Sequence, residues 1–314
     1  MKAGNLMTLA LTAFTQIIIM FFIILVGMIS YKTRLIDKET NKKLSDIVLM
    51  LVNPIVIFIS YQREFKAYLL TGLLISLLLA VITHIFGILF ANLVLRKKNH
   101  EADIAIERFA VIYSNCGFIG IPLVNGILGS EGVFYITAYM TIFNLVVWTH
   151  GMITISGRSD RKSILTAMLS PSVIATVTGF VFFVGKIMLP DVLDQALTYL
   201  GDMNTPMAML VAGVTIAQTD IVKVLQKLRI YYISILKLLV VPIAMLLFFS
   251  LFDIPRIVLL TSVLAAACPT AASINLFALR YDKNYLYASE LFAVTTILSL
   301  VTIPVVMVLA NMIV

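Results

Sequence analysis

Charged residues are scarce in this sequence of 314 residues: Asp, Glu, Lys and Arg make up 12% of it, whereas 61% of the residues are hydrophobic. Soluble globular domains have about 25% charged and about 45–50% apolar residues, so an ordinary soluble domain is excluded. The composition predicts an all-α integral membrane protein with several spans. The net charge is +7, but the basic residues lie between apolar segments, so they indicate topology and not a nucleic-acid-binding surface.

Cysteine is almost absent, and the motifs of the common enzyme classes are missing. The two cysteines, Cys116 and Cys268, lie in apolar segments and have neither the spacing of a disulfide framework nor that of metal ligands. The sequence has no His-Glu-x-x-His pattern, no Gly-x-Ser-x-Gly elbow and no phosphate-binding loop. We therefore predict no enzymatic activity, no metal, no cofactor and no ATP-driven transport by this chain alone.

Long apolar runs predict ten membrane-spanning helices, because about 20 apolar residues are needed to cross the hydrocarbon core. The predicted spans are Thr8–Ser30, Leu44–Ser60, Tyr68–Leu95, Ile104–Leu128, Val133–Ile155, Ser170–Met188, Ala196–Gln218, Ile230–Phe252, Pro255–Leu279 and Leu286–Ile313. Of the 23 Lys and Arg residues, 17 lie beside the loops that follow odd-numbered spans. Because cytoplasmic loops are enriched in Lys and Arg, these loops are predicted to be cytoplasmic and both termini to lie outside a plasma membrane.

Prolines recur at matching positions in the two halves of the chain. Asn53-Pro54 in the second span lies 152 residues before Thr205-Pro206 in the seventh, and Pro122 in the fourth lies 147 residues before Pro269 in the ninth. Each half has five spans, an odd number, so the second half must enter the membrane from the opposite side. The pattern predicts two inverted five-helix repeats, residues 1–155 and 164–314, and paired helix breaks of this kind indicate a transporter's substrate site.

The segment from Ser114 to Val124 interrupts an apolar span with two glycines and a proline. Broken backbone in a membrane is tolerated only where protein buries it or a wet cavity adjoins it. Pro122 and Pro269 are each predicted to begin a half-helix, whose free N–H groups and positive dipole end favour an anion such as a carboxylate. The alternative is that the breaks only kink the helices and the cysteines only pack. The predicted substrate-binding residues are Asn115, Cys116, Gly117, Gly120, Pro122, Pro269, Thr270, Ser273 and Asn275, with Asn53 and Thr205 facing the same cavity.

Titratable residues inside predicted spans are rare, and each is a functional candidate for that reason. Lys237, Glu290 and His84 are the candidates for coupling a proton, whereas sodium would use carbonyls and hydroxyls at the breaks, such as those of Thr270 and Ser273. The interpretation we favour is that Lys237 extends to the cytoplasmic face and Glu290 lies in the cytoplasmic interface. His84 is interpreted as a neutral histidine bonded within its helix.

The segment Asn115-Cys116-Gly117-Phe118-Ile119-Gly120-Ile121-Pro122-Leu123, followed by Glu131-Gly132-Val133-Phe134-Tyr135, resembles the auxin efflux carrier family. This family includes plant PIN auxin carriers and bacterial malate and malonate permeases. Individually weaker landmarks are Asn53-Pro54, Thr205-Pro206, the segment from Lys237 to Pro242 and the segment from Ser299 to Pro304. The similarity covers nearly the whole chain, but the connection at residues 157–163 is short where many plant carriers have a long hydrophilic loop. A bacterial-type carboxylate permease is therefore closer than an auxin carrier.

The resemblance implies a fold like that of bile-acid sodium symporters and sodium/proton antiporters. Spans one, two, six and seven would form a scaffold, and spans three to five and eight to ten a transport domain in which the broken helices cross at Pro122 and Pro269. The resemblance also implies elevator-type movement, an organic anion as substrate and, with the apolar scaffold, a homodimer. We expect a secondary transporter of a malate- or auxin-like anion; a non-transporting receptor or sensor of the same fold is the alternative.

Overall fold

The computed structural model describes residues 2–96, 103–157, 169–219, 224 and 226–314. Within these residues every regular element is helical, and one isolated antiparallel bridge joins Ser114 to Thr270. The predicted all-α, multi-pass membrane protein is therefore confirmed. Six helical segments in the described part of the chain are long and apolar enough to cross a membrane, namely Phe14–Lys32, Lys38–Ser60, Ala67–Val94, Cys116–Ser156, Leu228–Phe249 and Tyr285–Ile313.

The first half of the chain forms seven α-helices within its described residues. They are α1 Lys2–Lys32, α2 Lys38–Ile47, α3 Asn53–Ser60, α4 Ala67–Val94, α5 Ile104–Ile112, α6 Ile121–Val146 and α7 Met152–Ser156. Gly129, which has φ +69°, interrupts α6 between the predicted fourth and fifth spans. Glycine adopts this left-handed conformation easily because it has no Cβ atom, so Gly129 allows the chain to turn there.

The second half forms eight helices in its described part. They are α8 Pro171–Val184, α9 Asp191–Asp202, α10 Asn204–Ala217, α11 Leu228–Ile235, α12 Val241–Phe249, α13 Arg256–Ala267, α14 Ser273–Arg280 and α15 Tyr285–Ile313. The predicted seventh span is divided, because α9 and α10 meet at Met203. The short apolar helices α8 and α13 lie in the predicted sixth and ninth spans.

Three helices contain a five-residue π-type turn just before a proline. The turns are Val48–Val52, Cys116–Gly120 and Leu236–Val240, and they precede Pro54, Pro122 and Pro242. A proline ring inside a helix clashes with the carbonyl group four residues earlier and lacks an N–H group. Because a π-type turn is wider than an α-helical turn, it makes room for the ring. These prolines therefore lie within continuous helices.

Close helix contacts depend on glycine at two positions. A methyl group added to Gly27 of α1 would collide with the carbonyl oxygen of Leu210 in α10, and one added to Gly213 of α10 would collide with that of Ile24 in α1, so neither residue has space for a side chain. Helix α3 packs against α8, where Gly179 lies under the ring of Tyr61. Large apolar side chains on the outer faces of α1, α4 and α8 are exposed, as contact with lipid requires.

The buried side chains form two clusters. One cluster joins α1, α4, α6, α10 and α13, and the other joins α5, α11, α14 and the beginning of α15. The unwound segments between α5 and α6 and between α13 and α14 lie where the two clusters adjoin. The fold thus places the non-helical backbone of these two segments inside the protein and not against lipid.

Candidate functional site

Two unwound segments, residues 113–115 and 268–272, cross in the interior of the protein. The N–H group of Asn115 donates to the carbonyl oxygen of Pro269 at 2.7 Å, and the N–H group of Ala271 donates to that of Tyr113 at 2.9 Å. Backbone groups that leave a helix inside a membrane need a partner, and here each segment supplies one to the other. The structure therefore brings the predicted fourth-span and ninth-span breaks together. We call this region the crossing.

The first half-helix begins at Cys116 and not at Pro122, so that part of the prediction is wrong. Asn115 has non-helical backbone angles, and residues Cys116–Gly120 form the first turn after it. Pro122 lies inside the half-helix, where the preceding π-type turn makes room for its ring. Pro269 does not begin a half-helix either, because it lies in the unwound segment and α14 begins at Ser273.

Hydrogen-bond donors without an acceptor lie at the start of both half-helices. The Nδ2 atom of Asn115 is buried and has no partner, and the N–H groups of Gly117 and Phe118 have none among the described residues. At the second half-helix, the N–H groups of Ala272 and Ser273 and the buried hydroxyl of Ser273 are likewise unpaired within the described chain. Unpaired donors at the positive end of a helix dipole are suited to bind an anion.

Lys237 is completely buried, and its Nζ atom donates a hydrogen bond to the hydroxyl oxygen of Ser114 at 2.5 Å. The predicted extension of Lys237 to the cytoplasmic face is therefore wrong. No carboxylate of the described residues lies within ion-pair distance of this ammonium group. An ammonium group in an apolar interior is costly unless a negative charge accompanies it. An anionic ligand at the crossing would supply that charge.

Small residues allow the segments at the crossing to approach closely. A methyl group on Gly117 would lie 3.4 Å from the Nδ2 atom of Asn53, and one on Gly120 would lie 3.3 Å from the Sγ atom of Cys268 and from the Cβ atom of Cys116. Both cysteines are fully buried and free. Their position agrees with a packing role for the thiols.

Two predicted residues of the second break are engaged within the protein. The hydroxyl of Thr270 donates to the carbonyl oxygen of Ala110 at 3.1 Å. The side-chain oxygen of Asn275 accepts a hydrogen bond from the hydroxyl of Ser289 at 3.2 Å. Thr270 thus joins the second unwound segment to α5, and Asn275 joins α14 to α15.

Asn53 is hydrogen-bonded to Asn204, which was not among the predicted residues. The Nδ2 atom of Asn204 donates to the Oδ1 atom of Asn53, and both side chains are buried. Thr205, the predicted residue, is only half-buried. Asn204 lies two residues before Pro206, whereas Asn53 lies directly before Pro54; an asparagine close to each of the matching prolines is a signal that could have identified it.

The other titratable candidates make no hydrogen bond to the crossing among the described residues, although the ring centroid of His84 lies 6.2 Å from that of Tyr113. The Nδ1 atom of His84 is 2.8 Å from the carbonyl oxygen of Ala80 one turn earlier, as expected for a histidine bonded within its helix. Both carboxylate oxygens of Glu290 accept from the Nζ atom of Lys227 at 2.7 Å. Glu290 is therefore paired, and its side chain is 5% exposed.

A second ion pair adjoins that of Glu290. Arg229 donates to both carboxylate oxygens of Glu107, at 2.8 and 2.6 Å, and the hydroxyl of Tyr287 also donates to Glu107, at 3.0 Å. Glu107 was not predicted, although a carboxylate between the apolar residues of 104–106 and 109–112 indicates a buried charge. We call Glu107, Lys227, Arg229, Tyr287 and Glu290 the ionic cluster.

Crossed, unwound helices inside a multi-pass bundle, with unpaired donors and a buried cation beside them, are the features of a membrane transport protein. A model of the family described as membrane transport protein matches residues 12–165 and 158–307. The chain therefore belongs to the membrane transport protein, or auxin efflux carrier, family, and the predicted resemblance is confirmed.

Similar proteins in other organisms are named as transporters. A protein of Rhizobium meliloti named "Putative malonate transporter" is 26% identical over 231 residues, which are 70% of this chain and 71% of that protein. An uncharacterized transporter of Methanothermobacter thermautotrophicus is 26% identical over 289 residues, 90% of this chain and 93% of that protein. The uncharacterized transporter YfdV of Escherichia coli is 25% identical over 294 residues, 90% and 92% of the two chains.

Proposed function

We propose that this chain is a secondary active transporter of a small organic anion and that a carboxylate of the anion binds at the crossing. The proposal rests on the buried ammonium group of Lys237, which contacts Ser114 and has no carboxylate partner in the described part of the chain. Hydrogen bonds between a carboxylate and nearby donors are stronger than those between neutral groups. A bound carboxylate would therefore both accept from the unpaired donors of Asn115 and the first half-helix and offset the charge of Lys237.

The architecture that we propose is ten spans in two inverted five-helix repeats, residues 1–155 and 164–314. Two observations support it. Each half contributes an unwound segment to the crossing, and these segments run antiparallel where they meet. In addition, α1 packs against α10 and α3 packs against α8, which pairs the first predicted span with the seventh and the second with the sixth. In an inverted repeat the first span corresponds to the sixth and the second to the seventh, so the repeat relates one of these pairs to the other.

Alternating access would follow from movement of one group of spans against the other. Spans one, two, six and seven would form the scaffold, and spans three to five and eight to ten the transport domain that moves as an elevator. The ionic cluster supports a rigid transport domain, because its ion pairs join α5, α11 and α15, which all belong to that group. The anion at the crossing would then be exposed to each side of the membrane in turn.

Lys237 is the residue that we propose for ion coupling, since Glu290 is paired and His84 is bonded within its helix. An ammonium group at this depth needs an anionic partner, so the proton on Lys237 and the carboxylate would bind together. Sodium coupling through the hydroxyls of Ser273 and Thr270 is the competing proposal. We further place the protein in the plasma membrane as a homodimer, with both termini outside, on the strength of the Lys and Arg distribution and the apolar faces of α1 and α8.

Uptake of labelled malonate and malate into proteoliposomes that contain the purified protein tests the function. Malonate is included because it is the substrate in the name of one similar protein. We expect saturable uptake that an imposed pH gradient accelerates and that Asn115→Ala abolishes. Asn125→Ala is the matched control, since it removes an exposed asparagine of the same half-helix.

Three results would argue against parts of this proposal. Normal uptake by Asn115→Ala would show that the anion does not bind at the crossing. Acceleration by a sodium gradient and not by a pH gradient would contradict the role of Lys237 in coupling. Binding of the anion without any net uptake under either gradient would contradict the assignment as a transporter.

A further inference from the structure

A cavity of about 360 Å³ lies at the end of the protein where α4 and α7 end and α5 begins. The loops at this end follow the predicted third, fifth and ninth spans, so this end is predicted to be cytoplasmic. Its volume is within the range of sites for small ligands. The polar and basic residues that line it include Asn92, Arg108, His150, Thr154, Ser156 and Lys283. We call it the cationic cavity.

The positive charges of the cationic cavity are not neutralised by described residues. No Asp or Glu lines it, and neither Arg108 nor Lys283 has a carboxylate of the described chain within ion-pair distance. Arg108 donates two hydrogen bonds to the carbonyl oxygen of Leu95, at 3.1 and 2.8 Å. A guanidinium group has five N–H donors, so three remain for a ligand.

A second cavity at the same end provides a comparison. It has a volume of about 290 Å³ and is lined by residues of the ionic cluster together with Asp103. Its two cations, Lys227 and Arg229, each contact a carboxylate at 2.7 Å or less. The charge of that cavity is thus compensated within the protein, whereas the cations of the cationic cavity have no carboxylate partner among the described residues and are free to bind an external anion.

The cationic cavity is connected to the crossing through two residues. His150 lines the cavity, and its Nδ1 atom is 2.8 Å from the hydroxyl of Tyr113. Tyr113 is the first residue of the first unwound segment, and its carbonyl oxygen accepts the hydrogen bond from Ala271. The side chains of His150 and Tyr113 therefore separate a ligand in the cavity from the crossing.

We propose that the cationic cavity is a second binding site for a small carboxylate anion, which binds there at the predicted cytoplasmic end in addition to the crossing. The identity of the anion rests on the proposed function. The chemistry of the cavity is that of an anion site in general, so inorganic phosphate is the competing source of a negative charge. Arg108 and Lys283 hold the anion, and their field raises its local concentration beside the crossing.

Equilibrium dialysis of the full chain in detergent tests the second site, with labelled malonate and labelled inorganic phosphate as separate probes. The wild-type protein is expected to bind two malonate ions per chain. Lys283→Gln removes an exposed cation of the cavity and is expected to weaken one of the two sites by about tenfold, the effect of one hydrogen bond to a charged group. Arg108→Lys, which keeps the charge but loses the planar fork, is expected to weaken the same site.

Two controls distinguish the cavity from general electrostatics and from the crossing. Lys42→Gln removes an exposed lysine of α2, predicted to face the same side, that does not line the cavity, and it is expected to leave both sites unchanged. Asn115→Ala is expected to abolish the other site and to leave the cavity site intact. Added salt should weaken the cavity site more than the crossing, because exposed charges are screened.

The outcomes separate this inference from the proposed function. One malonate site that is lost in Asn115→Ala and unchanged in Lys283→Gln and Arg108→Lys would overturn the second site and support the first. One site that is lost in the cavity variants and unchanged in Asn115→Ala would support the cavity site and overturn binding at the crossing. Tighter binding of phosphate than of malonate at the cavity would overturn its assignment to the carboxylate, and no saturable binding of either probe in the millimolar range would overturn it altogether.

Discussion

The crossing and the ionic cluster both contain buried or half-buried cations, but of these cations only those of the ionic cluster are paired with carboxylates of the described residues. Arg229 and Lys237 lie eight residues apart on one continuous helical segment, about 12 Å along its axis. Arg229 meets two carboxylate oxygens of Glu107, whereas Lys237 meets only the hydroxyl of Ser114. A paired ion joins helices, and an unpaired ion at greater depth is available to a ligand. Pairing is therefore the feature by which we distinguish the structural charge of Arg229 from the charge of Lys237, which we propose to be functional.

The largest expected effect is that of removing the unpaired charge. Lys237→Met is expected to reduce anion uptake by about 100-fold, because truncating one partner of a buried charge pair costs about 2–5 kcal/mol. The free energy of unfolding should stay the same or rise, since a costly buried ammonium group is removed. Uptake into proteoliposomes and denaturant unfolding in detergent measure the two effects.

Lys237→Arg keeps the charge and is the matched control for that substitution, although its larger head group must fit the same space. It is expected to retain part of the uptake. Wild-type uptake by Lys237→Met would show that the unpaired charge has no part in transport.

The paired charge is expected to affect stability. Glu107→Gln leaves Arg229 without its partner and should lower the free energy of unfolding by about 2 kcal/mol. This is less than the cost of breaking a fully buried pair, because the side chain of Arg229 is 37% exposed. Denaturant unfolding in detergent measures the loss.

The double variant Glu107→Met with Arg229→Met tests whether pairing is the cause. It should be more stable than Glu107→Gln, since no unpaired charge remains. If the double variant lost as much stability as the two single variants Glu107→Met and Arg229→Met together, the ion pair would not be what stabilises this region.

The smallest expected effect is that of an exposed charge. The Oδ1 atom of Asp37 accepts a hydrogen bond from the N–H group of Thr40 at the start of α2, at 2.8 Å, and this bond holds the pKa of Asp37 below its ordinary value of 3.8. Because the pKa is lowered in the folded protein, the stabilisation is present above the unfolded-state pKa and is lost as the pH falls through the folded-state pKa.

Asp37→Asn measures this contribution, because asparagine also caps a helix but does not titrate in this range. The stability of the wild-type protein relative to the variant is expected to fall as the pH drops from about 5 to below 3.8, through the folded-state pKa of Asp37. An identical pH dependence of unfolding for the two proteins would show that the carboxylate of Asp37 contributes nothing through its charge.

Much of the helical framework was predictable because its signal is local. The predicted third and tenth spans, Tyr68–Leu95 and Leu286–Ile313, differ from α4 and α15 by one residue at their first positions and by one or none at their last. The break near Asn115 was also predictable, since glycine and proline disfavour a helix whatever surrounds them. The exact residue at which the half-helix starts was not predictable, because the π-type turn that makes room for Pro122 is not evident from the proline alone.

Side-chain roles were less predictable than helix positions. Asn204 and Thr205 are neighbours, but successive residues of a helix point about 100° apart, so only one of them can meet Asn53. Burial of Lys237 depends on which face of its helix is turned inward, and a lysine in an apolar span is equally compatible with extension to the membrane surface.

Hydrophobic runs, loop charges and helix breaks are properties of contiguous residues, and by themselves they determined a multi-pass helical membrane protein with interrupted spans. The motif from Asn115 to Leu123, also a contiguous segment, added the resemblance to the auxin efflux carrier family. The tertiary structure decided which of these features meet. Ser114 and Lys237 are 123 residues apart, and Glu107 and Arg229 are 122 apart. Whether a cation contacts a hydroxyl or a carboxylate that is so far away in the sequence depends on helix packing, which buries some charges with a partner and others without one.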